Sequence, residues 1–324
     1  MAKQTSTYTS SILITGGTQG LGYHCALSLA RQLPSTLIVI ASRTDPSDAA
    51  TTINTKLKQN NVQYMPLDLG SFATVRDFAS RWETASHPPL SALVLNAGIQ
   101  LPGAIEYTPD GIEKHFGINH VAHALLFHLL VSHLTPTARI IVVSSGLHDA
   151  EQGKSWGVVP AYTTAERVAV PKGDDAKMSG RERYATSKAA NVLWAFALGR
   201  RMERHEGKTV VAFDPGLMFG TNFARDAHPI LKFLNRWLLP KLTGLFRLLV
   251  NDNVNTPAES GGNMAWLVVG EEVKGKKVVY FEKRKEREAS VQARDVEVQE
   301  ELWKWTVERI GGSEEEGARF GRVE

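Results

Sequence analysis

A cluster of glycines near the start of the chain lies between a short apolar run and an amphipathic segment. Residues 11–15 read SILIT, glycines stand at 16, 20 and 22, and a helical pattern runs from Leu21 to Leu33. An apolar run, a tight turn and a helix in this order are typical of the first unit of a parallel sheet. This feature therefore favours an α/β fold.

The same alternation continues along the chain. Further strand-like runs lie at 37–41, 62–68, 92–96, 139–145, 209–213 and 278–281, with helical patterns at 71–85, 111–134 and 183–206. Near-continuous apolar strands alternating with helices indicate a parallel sheet that is buried on both faces. We expect a Rossmann-type, doubly wound sheet in one domain, residues 11–312, with a flexible N-terminus at 1–10 and a frayed, charged tail at 313–324.

Composition and charge exclude several classes of function. The 37 basic and 34 acidic residues leave a formal charge of +3, which is too small and too dispersed for a nucleic-acid partner. Cys25 is the single cysteine, so no internal disulfide can form. His120, His123, His128 and His133 share one helical pattern, but no carboxylate accompanies them at ligand spacing, so we expect no metal site.

No segment resembles a signal peptide or approaches the roughly 18 apolar residues of a membrane span, which predicts a cytoplasmic protein. The most apolar long stretch, 228–250, is interrupted by basic residues at helix-like spacing and predicts amphipathic helices. Three roles stay open for it: a substrate lid within 217–250, the interface of a homodimer, or a peripheral membrane contact.

The glycine turn suits a dinucleotide pyrophosphate. The backbone must approach the phosphates closely, where a Cβ would intrude, and the N–H groups at the start of the helix then face the anion. The second strand ends at Ser42 and Arg43 with no carboxylate at its tip. Because an arginine there can bind a ribose 2′-phosphate, the sequence predicts NADP(H) rather than NAD(H).

The glycine spacing, G-x-x-x-G-x-G, resembles the TGxxxGxG motif of the short-chain dehydrogenase/reductase family. Further matches follow in the family's order: Asp68 in PLDL, Asn96-Ala97-Gly98, Asn119 in FGINH, Ser145 after IIVVS, Tyr184 and Lys188 in YATSK, and Pro215-Gly216. The runs at 67–79, 108–126 and 214–226 are similar to the retinol dehydrogenase and protochlorophyllide reductase branch. Gln19 departs from the basic residue that some NADP-dependent relatives carry in the glycine turn.

The resemblance implies a set of residues that contact the cofactor. They are Gly16, Thr18, Gln19, Gly20, Leu21, Gly22, Ser42, Arg43, Asp68, Leu69, Asn96, Ala97, Gly98, Tyr184, Lys188, Pro215, Gly216 and Thr221.

Tyr184 and Lys188 are four residues apart and would share one face of a helix. Reduction of a carbonyl needs a proton at oxygen, so Tyr184 is the expected general acid, with Lys188 lowering its pKa. The resemblance adds Ser145 as a hydrogen-bond donor to the substrate oxygen and Asn119 as the residue that positions a relay water. Ser144, one residue earlier, should point to the opposite face of the strand.

The long polar segment between Ser145 and Tyr184 predicts a surface excursion at the mouth of the site. The resemblance implies a bulky, apolar carbonyl or alcohol as substrate, as in secondary metabolism. The candidate substrate residues are Ser145, Leu217, Met218, Phe219 and Phe223. The alternatives are a non-catalytic NADP(H)-sensing protein and a nucleotide-sugar epimerase.

Overall fold

The computed structural model describes residues 8–202, 207–218, 243–249 and 252–323. The strands are β1 (Ser10–Thr15), β2 (Thr36–Ser42), β3 (Val62–Pro66), β4 (Leu90–Leu95), β5 (Leu134–Val143), β6 (Thr209–Asp214), β7 (Leu217–Met218), β8 (Val254–Asn255), β9 (Val278–Glu282) and β10 (Lys285–Arg287). The helices are α1 (Gly20–Gln32), α2 (Ala49–Leu57), α3 (Phe72–Ala85), α4 (Lys114–Phe116), α5 (Ala122–Leu130), α6 (Ala150–Lys154), α7 (Ala165–Ala169), α8 (Gly180–Met202), α9 (Thr243–Leu249), α10 (Pro257–Val269), α11 (Val291–Arg294), α12 (Val296–Ile310) and α13 (Glu314–Arg322).

Eight strands form the central sheet in the order β10-β9-β6-β5-β4-β1-β2-β3, and β7 and β8 form a separate two-stranded pair. All neighbours in the central sheet are parallel except β10 and β9. The strand order reverses between β1 and β4, which opens a crevice at the carboxyl ends of these strands. The doubly wound α/β fold predicted from the sequence is confirmed.

Each face of the central sheet is covered by its own hydrophobic core. One core includes Phe127 and Trp194 from α5 and α8, and the other includes Met264 from α10. Strands β1, β2, β4 and β6 are almost wholly buried. Their continuous apolar runs are therefore explained by burial on both faces.

The run at 278–281 was predicted as a last strand and forms β9, but a short antiparallel strand, β10, follows it at the edge. Its three residues, Lys-Glu-Arg, are exposed and have no apolar periodicity that would reveal a strand. Charged residues are common on edge strands because they discourage pairing with another chain.

The helical pattern at 111–134 contains a change of helix type. A π-helical turn, Gly117–Val121, joins α4 to α5, and a 3₁₀ turn, Val131–His133, leads into β5. Such wide turns are rare and are often found at functional sites. Here the turn carries Asn119.

The prediction of a frayed tail from Ser313 is wrong. Helix α13 begins after a Ser313 cap, and Phe320 is fully buried against the ring of His128 at a centroid distance of 4.8 Å. Arg76 on α3 binds Glu316 with two hydrogen bonds of 2.8 and 2.7 Å. These partners are far away in sequence, so local charge alone suggested a solvated end.

The segment between Ser145 and Tyr184 was predicted as a surface excursion, and this is wrong for its middle part. Tyr162, Ala165 and Val168 are buried beneath α12. The Tyr162 hydroxyl donates to Glu301 on α12 at 2.7 Å. The apolar residues of this segment need a partner helix that the sequence pattern did not reveal.

Most of the predicted lid region, 217–250, lies outside the described residues, which include only β7 and α9 there. No helix in the described ranges is both long and apolar enough to cross a membrane.

Candidate active site

A cavity of 1290 Å³ opens at the carboxyl ends of the central strands. It brings together most of the predicted site residues, namely Gly16, Thr18, Gln19, Gly20, Leu21, Gly22, Ser42, Arg43, Asp68, Leu69, Asn96, Ala97, Gly98, Ser145, Tyr184, Lys188, Pro215, Gly216, Leu217 and Met218. Asn119 is fully buried behind the cavity wall. Phe219, Thr221 and Phe223 lie outside the described residues.

The glycine turn leaves room for an anion at the start of α1. Gly16 has a φ of +68°, and a Cβ there would lie 2.9 Å from Asn96 Nδ2. Gly20 has a φ of +54° and faces open space within 4 Å, on the cavity wall. The N-cap residue of α1, Gln19, makes no side-chain cap hydrogen bond, which leaves the first N–H groups of the helix to bind a phosphate. These features fit the pyrophosphate of a nicotinamide dinucleotide.

Arg43 lies at the rim of the cavity, and its side chain is exposed. Within the described ranges, no hydrogen bond or ion pair engages its guanidinium group. The nearest carboxylate in sequence, Asp45, accepts from the Ala49 N–H at 2.9 and 2.8 Å and does not line the cavity. The tip of β2 therefore offers a cation and no carboxylate to a ribose.

A buried hydrogen-bond chain connects the glycine turn to Asn119. Thr15 Oγ1 accepts from the N–H groups of Asn96 and Ala97, both at 2.9 Å, and lies 2.9 Å from His123 Nε2. His123 Nδ1 lies 3.1 Å from the Asn119 carbonyl oxygen, which can only accept. His123 therefore carries its proton on Nδ1 and accepts from Thr15 at Nε2. Burial lowers the pKa of His123 to about 4, which keeps it neutral.

The Asn119 amide holds the loop after Gly98 against α8. Its Oδ1 accepts from the Ile99 N–H at 2.8 Å, and its Nδ2 donates to the Ile99 carbonyl at 3.1 Å and to Ser187 Oγ at 2.9 Å. A Cβ at Gly98 would lie 3.3 Å from Asn119 Oδ1 and 3.5 Å from Lys188 Nζ. Asn119 thus fixes the part of the cavity wall next to Lys188. Its role in positioning a relay water stays a prediction.

Ser144 and Ser145 follow β5 and have different partners. Ser144 Oγ donates to the Lys188 carbonyl at 2.8 Å and so binds the backbone of α8. Ser145 Oγ accepts from the Leu147 N–H at 3.3 Å and shares a hydrogen bond with the Tyr184 hydroxyl. The Ser145 carbonyl accepts from His148 Nδ1 at 2.9 Å, which holds this loop in place. The second serine is therefore the one beside the reacting tyrosine.

Tyr184 and Lys188 lie on one face of α8, with Lys188 Nζ 5.8 Å from the centroid of the Tyr184 ring. Burial raises the pKa of Tyr184, Asp214 raises it further, and the hydrogen bond with Ser145 lowers it. The role of Lys188 in lowering this pKa stays a prediction. Burial also lowers the pKa of Lys188 itself to about 8. Its Nζ donates to the Val143 carbonyl at 3.0 Å.

A buried ion pair next to Tyr184 was not predicted. Arg183 Nε lies 3.3 Å from Glu113 Oε1, and both side chains are less than 5% exposed. Glu113 also accepts from His115 Nδ1 at 2.7 Å, and His115 Nε2 accepts from the Leu101 N–H at 2.9 Å. This cluster anchors the start of α8 to the loop that follows Gly98. Its residues are 70 positions apart in sequence (183 − 113), so no local motif reveals them.

Of the helical histidines, His120 and His128 are packing residues. His123 belongs to the hydrogen-bond chain of the site, and His133 Nε2 lies 2.7 Å from Glu83 Oε2. His120 contacts Thr306 at 3.3 Å, and His128 packs against Trp303 and Phe320. Among the described residues, no group of three or more His, Cys, Asp or Glu side chains could hold a metal ion.

Comparisons with known proteins agree with this geometry. The family model for short chain dehydrogenase matches residues 10–166, and a model for the AcuH dehydrogenase domain matches residues 221–319. Polyprenol dehydrogenase of Danio rerio is 30% identical over 310 residues, which cover 92% of this chain and 86% of that protein. The chain belongs to the short-chain dehydrogenase/reductase family.

Two further relatives place this dehydrogenase/reductase within the family. Retinol dehydrogenase 14 of Homo sapiens is 31% identical, with 90% of this chain and 84% of that protein covered. Protochlorophyllide reductase of Daucus carota is 29% identical, with 93% and 78% covered. The branch inferred from the sequence motifs is confirmed. The protein is an oxidoreductase that uses a nicotinamide cofactor on alcohol or carbonyl groups.

The fold is also shared with solved structures. L-sorbose reductase from Gluconobacter frateurii, complexed with NADPH and L-sorbose, superposes with a TM-score of 0.62 at 16% identity, covering 85% of this chain and 96% of that one. At this identity, the likeness supports the fold of the short-chain dehydrogenase/reductase domain alone.

The cavity is also lined by residues that the motifs did not reveal. Tyr107 and Trp156 line it and are 48% and 37% exposed, and the predicted Leu217 is 39% exposed. Exposed large apolar side chains in the lining of a cavity favour an apolar ligand. Polar residues that also line the cavity are Gln152, Arg181, Asp214, Asn253 and Glu282. Only the apolar Leu217 and Met218 had been predicted here, because they follow the Pro215-Gly216 motif.

Proposed function

We propose that this protein is an NADP(H)-dependent enzyme that interconverts the carbonyl and alcohol forms of a bulky, apolar small molecule, as in secondary metabolism. Arg43 carries the cofactor assignment, because its guanidinium group is exposed at the cavity rim and the neighbouring Asp45 is engaged by α2. A planar guanidinium is well suited to a 2′-phosphate.

The chemistry follows from Tyr184 and its neighbours. The nicotinamide supplies the hydride when bound. Tyr184 donates the proton to the substrate oxygen during reduction and accepts it during oxidation. Its raised pKa keeps the hydroxyl protonated near neutral pH, which suits the donor role. Ser145 hydrogen-bonds the same oxygen and stabilises the charge that develops there.

The exposed apolar side chains of the cavity lining support an apolar substrate. Tyr107, Trp156 and Leu217 line the cavity that contains Tyr184 and Ser145. Two relatives are named for polyprenol and retinol, which are apolar alcohols. A small hydrophilic substrate would leave these apolar side chains in contact with water, which is unfavourable.

A substrate panel tests the reaction. Purified protein is mixed with NADPH and apolar ketones or aldehydes, or with NADP⁺ and apolar secondary alcohols, and absorbance of the reduced nicotinamide is followed. We expect turnover with at least one apolar carbonyl. Tight NADPH binding without turnover across the panel would instead indicate an NADP(H)-sensing protein, and turnover of UDP-sugars would indicate an epimerase.

The cofactor preference is tested at Arg43. We expect Arg43→Ala to weaken NADPH binding about ten- to hundredfold, because charge-assisted hydrogen bonds to a phosphate are worth about 1.5–3 kcal/mol. NADH binding should change little, as measured by fluorescence titration. Arg31→Ala, an exposed arginine at the end of α1, is the matched control. Equal losses for NADPH and NADH would contradict the assignment.

The cytoplasmic location, the homodimer and the peripheral membrane contact stay predictions. Light scattering after size-exclusion chromatography measures the oligomeric state directly.

A further inference from the structure

Asp214 is a buried carboxylate at the substrate end of the cavity. It ends β6, is 4% exposed and lines the cavity wall. Its Oδ1 accepts from the Gly216 N–H at 2.9 Å and its Oδ2 from Asn253 Nδ2 at 2.8 Å. The carboxyl group also accepts from the Gly146 N–H. Burial raises the pKa of the Asp214 carboxyl group to about 6, although the three N–H donors lower it. The group is therefore mainly ionised at pH 7, and in this form it only accepts hydrogen bonds.

The three donors belong to three segments that meet beside the reacting hydroxyls. Gly146 directly follows Ser145, Gly216 leads into β7, and Asn253 leads into β8. Strands β7 and β8 pair with each other. Asp214 therefore ties the Ser145 loop to the base of the β7–β8 pair.

Asp214 and Tyr184 line the same cavity. The Tyr184 hydroxyl shares a hydrogen bond with Ser145, whose neighbour Gly146 donates to Asp214. Burial raises the pKa of Tyr184 most, and the charge of Asp214 raises it further. The other ionisable groups around these two residues are Lys188 on α8, Glu282 and Tyr280 on β9, and His148 and Asp149 in the loop after Ser145. Burial lowers the pKa of His148 and raises that of Tyr280, so both are neutral near pH 7. Glu282 lies beside Asp214 in the sheet, where it contacts Gln152 and Arg287.

We propose that Asp214 is a positioning residue for the reaction: it fixes the Ser145–Gly146 peptide, and its negative charge keeps the proton on the Tyr184 hydroxyl. This role rests on the proposed function, in which Tyr184 is the proton donor. A fixed negative charge beside Tyr184 favours the form needed for carbonyl reduction and opposes the form needed for alcohol oxidation.

The first test needs no turnover. In the free protein, Asp214→Asn is expected to move the ionisation of Tyr184 to lower pH by about one unit, since a nearby charge shifts a pKa by one unit or more. Phenolate absorbance is measured at the highest pH at which both proteins stay folded, with Tyr184→Phe in each background as the blank. More phenolate in the Asn variant supports the proposal. Equal amounts, including none in either protein, overturn it.

Glu282→Gln is the matched control, because it also removes one negative charge from this end of the cavity. Glu282 is not among the causes of the Tyr184 shift, so this variant should leave the Tyr184 ionisation unchanged. A shift as large as that of Asp214→Asn would mean that any nearby charge has the same effect, and Asp214 would lose its assigned role. If Asp214→Asn does not fold, Asp214→Ser removes the same charge with a smaller side chain.

The second test uses the pH profile of kcat/KM for oxidation of an alcohol that the wild-type enzyme turns over. Asp214→Asn should move the rising limb to lower pH by about one unit, which makes oxidation about tenfold faster below the limb. Asn253→Ala keeps the charge and loosens the loop, so kcat should fall without a shift of the limb. A lower rate at every pH with an unmoved limb in Asp214→Asn would show a structural role only. If the wild type shows no turnover, the proposed function is contradicted. The role of Asp214 is then decided by the phenolate measurement alone.

Discussion

The two reacting side chains of this protein are buried, and burial shifts their pKa values. Tyr184 and Lys188 are 9% and 2% exposed, and burial shifts both pKa values toward the neutral form. Desolvation disfavours a charged group, so a tyrosine keeps its proton more strongly and a lysine loses it more easily. A protonated phenol and a readily deprotonated amine are thus present side by side before any ligand binds.

Replacing Tyr184 by Phe removes the proton donor and keeps the ring. We expect turnover to fall by about a hundredfold or more, the usual contribution of a positioned acid. NADPH binding should persist, because the glycine turn and Arg43 are unchanged. Steady-state kinetics and fluorescence titration measure the two effects. Tyr8→Phe, which removes a hydroxyl remote from the cavity, should keep full turnover; full turnover in Tyr184→Phe would show that another group supplies the proton.

Lys188 makes stability depend on pH. Its folded pKa of about 8 lies below the ordinary value of 10.5, so the folded protein binds fewer protons than the unfolded chain between these values. The contribution of Lys188 to stability therefore rises with pH across that window. Lys188→Met should remove this rise and, because Asn191 still donates to the Val143 carbonyl, should be more stable than wild type at pH 7 by up to about 3 kcal/mol.

Urea denaturation of the free proteins at pH 7 and at alkaline pH measures this difference. Lys56→Met, at an exposed position on α2, is the control and should change stability little at either pH. A Lys188→Met protein that is less stable than wild type at pH 7 would show that burying this ammonium group carries no net penalty.

Site residues that belong to a local motif could be predicted from the sequence, and their partners could not. The glycine turn, Ser145, Tyr184 and Lys188 have fixed spacings because each lies on one strand end or one helix. Asp214 and His148 carry no such spacing. Their partners are brought in from other elements, as Asn253 is to Asp214 and Ser290 to His148. Long-range hydrogen bonds depend on the folded arrangement and leave no periodic signal.

Among the secondary-structure elements, the buried strands could be predicted best from the sequence. A run such as LIVIA is fully apolar because β2 is covered on both faces, and this signal is independent of its partners. Helix α12 was missed although Asp295 caps it and its apolar side chains face the core. Its pattern, VEVQEELWKWTVERI, mixes charges with large aromatic residues, and it becomes a core helix only by packing on α8.

The anchor of α8 depends on Glu113. Glu113→Gln leaves the buried Arg183 without its counter-charge, and breaking a buried pair in this way typically costs about 3–5 kcal/mol. We expect the free energy of unfolding in urea to fall by that amount. Glu106→Gln breaks an exposed pair with Lys114 and should lower the free energy of unfolding far less, because solvent screens exposed pairs. Similar losses in the two variants would show that the buried pair contributes no more than a surface one.

Over the whole molecule, the C-terminal helices complete a core that begins in the first half of the chain. Phe320 is fully buried on His128, and Trp303 stacks on Trp194 at a centroid distance of 6.3 Å. Truncating a buried Phe to Ala usually costs about 3–5 kcal/mol. Phe320→Ala should therefore lower the free energy of unfolding by several kcal/mol, measured by urea denaturation. Glu315→Ala, exposed on the same helix, should change it by less than about 0.5 kcal/mol.

The ion pair between Arg76 and Glu316 joins residues that are 240 positions apart. During translation, the ribosome therefore releases α3 long before its partner on α13 exists. Until then, Phe320 cannot pack on His128 and the aromatic side chains around it. The nascent protein therefore exposes apolar surface that is prone to aggregation. The need for chaperones during synthesis should accordingly last until α13 has been made, far in sequence from the glycine turn where the fold begins.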